Sequence, residues 1–459
     1  MALAALAFVP LAVPAQSTTG LTVLHTFTAP TGSGGTYGTN SDGANPLAGL
    51  VLAGQTVFGT TEYGGGSGYG TVFRVKTDGS AFTNLYSFTN GFDGATPEAG
   101  LVLLGNTLYG TAKSGGSASY GTVFSLSTDG LGFATLYTFT NGTDGAAPSA
   151  GLTFSGGVLY GTTAGTGTDY GTVFQISTNG SGFMALHQFS SLVSFTNADG
   201  ENPSGPLVYS GGLLYGATDY GGAHDSGTIF AATAGETSFS SLYSFLALQG
   251  YPTSSNTSGA VPQGGVALSG NMLYGTAIYG GTNGYGVVFA GNTNGGAFAP
   301  IYTFTGGADG QAPEGPLTVS GPTLYGTTTA GTIFAVNTNG MGFTNVHAFV
   351  GAYNGSFYTN NDGLDPNGGL LLSGVILYGT AYNGGTAGFG TVFAATLLPP
   401  IPLNIQAAGG SVVLTWTNAA FSLQAGPAVA GVFTNVAGAT SPFTNAITGS
   451  QMFFRLAGN

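Results

Sequence analysis

The chain has 459 residues, of which 85 are glycine, none is cysteine and only 5% are charged; four Lys and Arg stand against 17 Asp and Glu, for a net charge of −13. So acidic and cation-poor a chain excludes the phosphate-neutralising contacts of nucleic-acid binding and attraction to an anionic membrane surface. The lack of cysteine excludes disulfides, thiol nucleophiles and Cys-ligated metals, and a hydrophobic content of 42% argues against disorder.

Residues 1–16 read MALAALAFVPLAVPAQ, a short apolar run ending in small residues. This is the pattern of a secretory signal peptide with a cut after Ala15. Its two prolines suit neither a strand nor a spanning helix of about 20 residues. A basic n-region is missing, so the expectation is a start inside a longer leader. Residues 21–28, LTVLHTFT, match LYSFT at 85–89 and LYTFT at 136–140. They read as the last strand of a repeat that has no repeat before it.

From there one unit fills the chain. At 97–139 it reads PEAGLVLLGNTLYGTAKSGGSASYGTVFSLSTDGLGFATLYTF, and its GTVF-type tetrapeptide starts at Gly70, Gly121, Gly171, Gly227, Gly286, Gly331 and Gly390, at spacings of 45 to 59 residues. A unit of about 40–50 residues that reads as four short strands is the signature of a propeller blade. Strand a is expected at 100–104, b at 107–111, c at 120–127 and d at 133–139. Each is rich in Val, Leu, Tyr, Phe and Thr and bounded by Gly, Asn, Asp or Ser. The last repeat lacks strand d. Residues 21–28 supply it, since an open sheet edge invites aggregation. The expected fold is therefore all-β, a seven-bladed β-propeller over residues 21–396 closed by the N-terminal strand.

The c–d links carry Asp-Gly or Asn-Gly at Asp78, Asp129, Asn179, Asn294 and Asn339, pairs that accept the positive φ angles of tight turns. The Gly-rich b–c links and the d–a links, with their Asp-Gly-x-x-Pro signature, fall on the opposite face. Insertions at 190–198, 246–261 and 350–361 concentrate in the d–a links and mark this as the working face. Residues 397–402 form a Pro-rich linker. Residues 403–459 read as a small β-sandwich-like module with Trp416 in its core, and no apolar span follows to anchor the chain.

These motifs in this order, LYGTT, the Gly-Gly loop, GTVF and the DGxxP turn, resemble the GloVer tandem-repeat family of exported bacterial proteins. The resemblance covers about residues 21–396. It implies export, with repeats joined to differing C-terminal cell-surface anchors; this chain departs by ending in a module similar to the short fibronectin-like tails of secreted proteins. The family brings no established reaction or ligand, so the resemblance transfers no catalytic residue.

The most regular charged feature is the aspartate of the d–a turn: Asp42, Asp93, Asp144, Asp199, Asp309 and Asp362, with Ser258 in the link to blade five. These carboxylates are expected to cap backbone N–H groups as Asx-type turns; calcium is the alternative occupant, although the alternating ligand pattern of calcium loops is absent. His25, His187 and His347 take the place of Tyr86, Tyr137, Tyr243 and Tyr302, which reads as a packing site with one polar tip. For these three histidines a zinc or copper site is a minor alternative, and His224 reads as an exposed loop histidine. Glu62, Glu98, Glu201 and Glu314 offer carboxylates for glycoside hydrolysis only at a fixed separation. The aromatics that open strand c, Tyr69, Tyr120, Tyr170, Tyr285 and Phe389, border the working face and suit a sugar or a peptide; the competing reading is that they plug the gap between blades. Tyr251, Tyr353 and Tyr358 lie in the long insertions, beside Asp362 and Asp365.

The expectation is a secreted or cell-surface bacterial protein, monomeric, without a membrane span in the mature chain. It is read as a non-catalytic module that binds a glycan or a protein through the face of the b–c and d–a loops. The alternative is an extracellular polysaccharide lyase or hydrolase with its site at the channel mouth, where symmetry-breaking polar residues would have to converge.

Overall fold

LYGT and GTVF recur together because they pair. Gly110 lies opposite Phe124 in the ladder, and a Cβ at Gly110 would sit 2.6 Å from the Phe124 ring and 2.8 Å from Leu101. The bare glycine leaves the ring its room in a close-packed interior. In a computed structural model of the chain this pairing repeats from Gly59 opposite Phe73 to Gly379 opposite Phe393, within seven four-stranded antiparallel sheets. The structure describes residues 18–32, 38–167, 169–193, 196–249, 254–350, 352–353, 358–397, 404–408, 411–416, 421–426, 434–436, 438–446 and 453–458. The chain divides into two units at Leu397 and Leu398. The signal-peptide segment 1–16 lies outside the described residues, as does most of the linker at 397–402.

In blade two, strand a is Val102–Leu104, b is Thr107–Ala112, c is Thr122–Ser127 and d is Ala134–Thr138. Strand a begins two residues later than the sequence suggests. The preceding glycine packs backbone to backbone: a Cβ at Gly100 would be 3.4 Å from the Gly49 carbonyl oxygen. The first strands of successive blades touch one another, which places strand a nearest the axis. The N-terminal strand, Thr18–Thr26, pairs antiparallel with Thr391–Leu397 and completes blade seven, with Leu21 opposite Ala395 and Val23 opposite Phe393. The ring is thus a seven-bladed propeller closed by its own N-terminus.

Between blades the core is a chain of aromatic contacts. The Phe that ends strand d of one blade meets the GTVF Phe of the next edge-on, at 5.3 Å for Phe27 and Phe73 and 5.2 Å for Phe88 and Phe124. All four are fully buried. Farther out, the Tyr or His of strand d stacks on a Phe from the neighbouring blade, Tyr86 on Phe133 at 4.0 Å and His25 on Phe82 at 3.6 Å. Offset and edge-on ring pairs add stabilisation beyond the area they bury.

In the second unit, Asn404–Ala408, Ser411–Thr415 and Phe443–Ala446 form one three-stranded sheet, and Thr434–Asn435, Phe421–Gly426 and Phe453–Gly458 another. Trp416 is buried with Leu414, Leu423 and Phe454, and its backbone N–H donates to Ser441 Oγ at 2.8 Å.

Because Phe27 is buried between blades seven and one, Phe27→Ala is expected to cost about 3–5 kcal/mol of unfolding free energy. Leu131→Ala, on an exposed hairpin, is expected to cost under about 0.5 kcal/mol. Urea denaturation of both variants checks this; equal costs would mean that the aromatic chain does not hold the ring shut.

Candidate functional site

The d–a turn is the most repeated polar device of the loop face, and its carboxylate is a hub. Asp93 accepts the Tyr86 hydroxyl at 3.0 Å, the Thr89 backbone N–H at 2.8 Å, the Thr89 hydroxyl at 2.7 Å and the Gly91 N–H at 3.1 Å. Asp144 and Asp309 repeat this with Tyr137 and Thr140, and with Tyr302 and Thr305. Where strand d carries histidine, Nε2 takes the hydroxyl's place: His25 to Asp42 at 3.0 Å, His187 to Asp199 at 3.0 Å and His347 to Asp362 at 2.8 Å. Burial pushes the Asp42 and Asp199 carboxyls up, but the bonds from His25 and Thr28, and from His187 and Ser190, outweigh it and hold both below their ordinary value. Burial first, and then Asp144, push the Tyr137 phenol up to about 12.

This arrangement bears on two chemistries. A calcium ion needs oxygen lone pairs, whereas these carboxylates already face N–H and O–H donors, each in its own blade; the surroundings do not fit the ion. Among the described residues no three His, Asp or Glu side chains converge on a common metal position. Nor does the trio of Ser190, His187 and Asp199 form a nucleophile. Serine and histidine both bond to the carboxylate, not to each other, so the imidazole has no hydroxyl proton to take.

The aromatics that open strand c contribute backbone more than ring. The carbonyls of Tyr69, Tyr120, Tyr170, Tyr285 and Phe389 accept N–H bonds from the next d–a link, at 2.9, 2.9, 3.0, 2.9 and 2.8 Å. The donors, Thr96, Ala147, Asn202, Ala312 and Asn45, all have positive φ between 51° and 58°. The rings of Tyr69, Tyr120, Tyr170 and Phe389 pack against the inter-blade cores, while Tyr285 is 41% exposed. Tyr251 lies outside the described residues, and so do the side chains of Tyr353 and Tyr358, whose backbones pair in the short hairpin of Ala352–Tyr353 and Tyr358–Thr359.

The residues that break the seven-fold pattern are elsewhere, at the inner rim of this face. Each link residue of positive φ accepts, through its carbonyl, the N–H of the residue that ends strand b or follows it. Those seven equivalent residues are Glu62, Lys113, Ala164, Asp219, Ile278, Thr329 and Tyr382. Beside them, just after the link proline, stand Glu98 and Glu314. Lys113 Nζ donates to both Glu98 oxygens at 2.9 and 3.0 Å, and the Tyr382 hydroxyl donates to Glu62 at 2.8 Å. Burial pushes the Glu98 carboxyl up; Lys113 opposes this, and the neighbouring Glu62 reinforces it.

Asp219 is 3% exposed. It accepts Ser204 Oγ at 2.6 Å and Asn202 Nδ2 at 2.9 Å. Burial, against the pull of Ser204 and with the charges of Glu314 and Glu201, pushes its carboxyl up to about 7. Glu314, in the link to blade six, is raised by burial and by Asp365. Position in the repeat could have found these residues in the sequence: where one slot holds Glu, Lys, Ala, Asp, Ile, Thr and Tyr, packing does not dictate the choice.

Fold and loop face together define a seven-bladed β-propeller repeat protein. The sequence profile of the Gloeobacter/Verrucomicrobia repeat matches residues 15–192, 106–257 and 250–399, and the chain belongs to that family. No curated protein matches the chain. Among solved structures it is similar to the computationally designed Ika8 protein (15% identity, 82% of this chain and 94% of that one, TM-score 0.43). It is also similar to a chain of the Nidogen/Laminin complex (15% identity, 59% and 86%, TM-score 0.37) and to TolB from Acinetobacter baumannii (13% identity, 59% and 58%, TM-score 0.36).

Asp219 sets a pH dependence of defined sign. Its folded value, about 7, lies above its ordinary 3.8, so the native state holds the extra proton. Its contribution to stability is full below about pH 4 and declines as the pH rises towards 7. Asp219→Asn is expected to flatten this decline in urea midpoints measured from pH 4.5 to 8. An unchanged slope would show that the carboxyl titrates normally.

Proposed function

We propose that this protein is a non-catalytic binding module of the bacterial cell exterior that takes a glycan or a protein on the face of its b–c and d–a loops. One observation carries the reading: the two faces of the ring differ in how they treat the repeat. On the hairpin face the same turn recurs, with the side chains of Asp78, Asp129, Asn179, Asn294 and Asn339 each accepting the N–H two residues on at 2.9–3.1 Å. On the loop face the equivalent rim positions diverge into Glu62, Lys113, Asp219 and Tyr382. Scaffold positions stay alike under common packing demands, and divergent ones suit recognition. The rim is rich in carboxyls and the chain carries −13, so a polyanionic ligand is repelled and a neutral glycan or a protein is favoured. Export is supported by the composition of residues 1–16, and a cysteine-free chain is compatible with it. Among the described residues no helix is long and apolar enough to cross a membrane.

A hydrolase at the channel mouth is the second reading, and the raised Asp219 carboxyl favours it, since an acid poised near neutrality can donate a proton.

The two are separated by passing the protein over immobilised neutral polysaccharides and peptides, with calcium and with chelator, while assaying for soluble products. Retention on one matrix, unchanged by chelator and without product, is the expected result. Release of reducing ends, abolished by Asp219→Asn, would replace the binding module with the enzyme.

A further inference from the structure

The link between blades four and five departs from the repeat twice. Ser258 stands where the other links have aspartate; its Oγ accepts the Leu246 N–H at 2.9 Å from 12 residues away, against four residues for Thr89 and Asp93. The longer chain is pinned from inside. Asn256 Nδ2 donates to the carbonyls of Leu246 and Gly259 at 2.7 and 2.9 Å, its Oδ1 accepts the Gly259 N–H at 2.7 Å, and Gln249 and Ser255 exchange backbone bonds of 2.9 and 3.0 Å. Held open this way, the link encloses with the neighbouring b–c loops a cavity of about 480 Å³, lined by residues that include His224, Leu246, Gln249, Ser255, Thr257 and Thr282. That volume lies within the roughly 300–1,000 Å³ of small-molecule sites.

We infer that this cavity is a subsite for a neutral saccharide, with a sugar ring set against Leu246 and its hydroxyls among Gln249, Ser255, Thr257 and Thr282. The inference rests on the loop-face binding reading and narrows its ligand. Each of those four side chains is free of hydrogen bonds among the described residues. Amides and hydroxyls both donate and accept, as the vicinal hydroxyls of a sugar require. Among the described residues no Lys, Arg, Asp or Glu lines the cavity, so neither an anionic nor a cationic group finds a counter-charge there. Leu246, 40% exposed, supplies an apolar surface for the C–H face of a ring. A peptide is less well matched: the backbone groups it would pair with at Gln249 and Ser255 are already bonded to each other.

The test uses the full chain, titrated calorimetrically with cello-, xylo-, manno- and malto-oligosaccharides and with a set of uncharged peptides. It includes Gln249→Ala combined with Thr282→Ala, Ala247→Trp to fill the cavity from an exposed position, and Leu131→Ala on the opposite face. Expected are binding of one oligosaccharide series, about tenfold weaker binding in the double variant, loss in Ala247→Trp, no change in Leu131→Ala and equal melting temperatures throughout. Saccharide binding that survives both cavity variants overturns the subsite and leaves the loop-face reading intact if Glu62→Gln weakens it. Peptide binding without saccharide binding overturns the subsite and keeps the reading in its protein form. Failure of every probe to bind overturns both.

Discussion

The ring depends on a close approach between the glycine of GTVF and the proline of the next DGxxP turn. A Cβ at Gly121 would lie 2.5 Å from Pro148 Cδ; the same clash, at 2.5–2.6 Å, would arise at Gly70 with Pro97, Gly171 with Pro203, Gly227 with Pro262 and Gly286 with Pro313. Gly390 meets Pro46 at 2.5 Å, so the contact also carries the ring from the seventh blade to the first. Only glycine combines that proximity with the positive φ found there, +99° at Gly121. Two motifs 27 to 35 residues apart in the sequence are thus one contact between neighbouring blades. Blade six is the exception: with its b–c link shortened, Gly331 instead faces the Phe349 carbonyl.

Around this contact the aspartate hub does a different job. It fixes strand d of one blade to the link entering the next, and it uses tyrosine or histidine interchangeably because each presents a flat ring to a neighbouring Phe and one donor to the carboxylate. Tyr137 lies 3.8 Å from Phe183 and parallel to it; His187 lies 3.7 Å from Phe239 and parallel to it. The link to blade five gives up this brace, since Ser258 reaches only its own loop and Tyr243 has no carboxylate opposite it. The link that lacks this cross-link is also one of the long ones, with Leu246 and Ser258 12 residues apart.

The fold was legible because its contacts are between motifs that repeat: the period set the blade count, the orphan strand at 21–28 set the closure, and the Tyr/His exchange marked a packing site with one polar tip. The rim was not legible by the same route. Glu62, Lys113, Asp219 and Tyr382 are unremarkable one by one and become a set only when the N–H bonds from the link show that they occupy one slot. Burial makes Asp219 a weak acid, and the charge of Glu314, in the link to blade six, adds to the effect. The aromatics that open strand c border the loop face in the sequence, but the rings of Tyr69, Tyr120, Tyr170 and Phe389 pack between blades. His224, read as a bland loop residue, is brought to a cavity wall by an insertion more than 20 residues downstream of it.

The sparseness of charge gives the rim its meaning. A scaffold held by glycine–proline contacts, aromatic rings and carboxylates satisfied by N–H and O–H donors has little need of ion pairs, and its 5% charged residues reflect that. Against such a background, a buried Asp219 that loses stability as it ionises, and a Glu98 that Lys113 neutralises only in part, work against the fold. The hub aspartates, by contrast, are lowered or bonded to N–H and O–H donors, and stability spent at the rim alone is what the proposed reading takes as the mark of a site. In the proposed reading the rim sets what the loop face rejects, through its concentration of acid groups, and the neutral cavity between blades four and five sets what it holds.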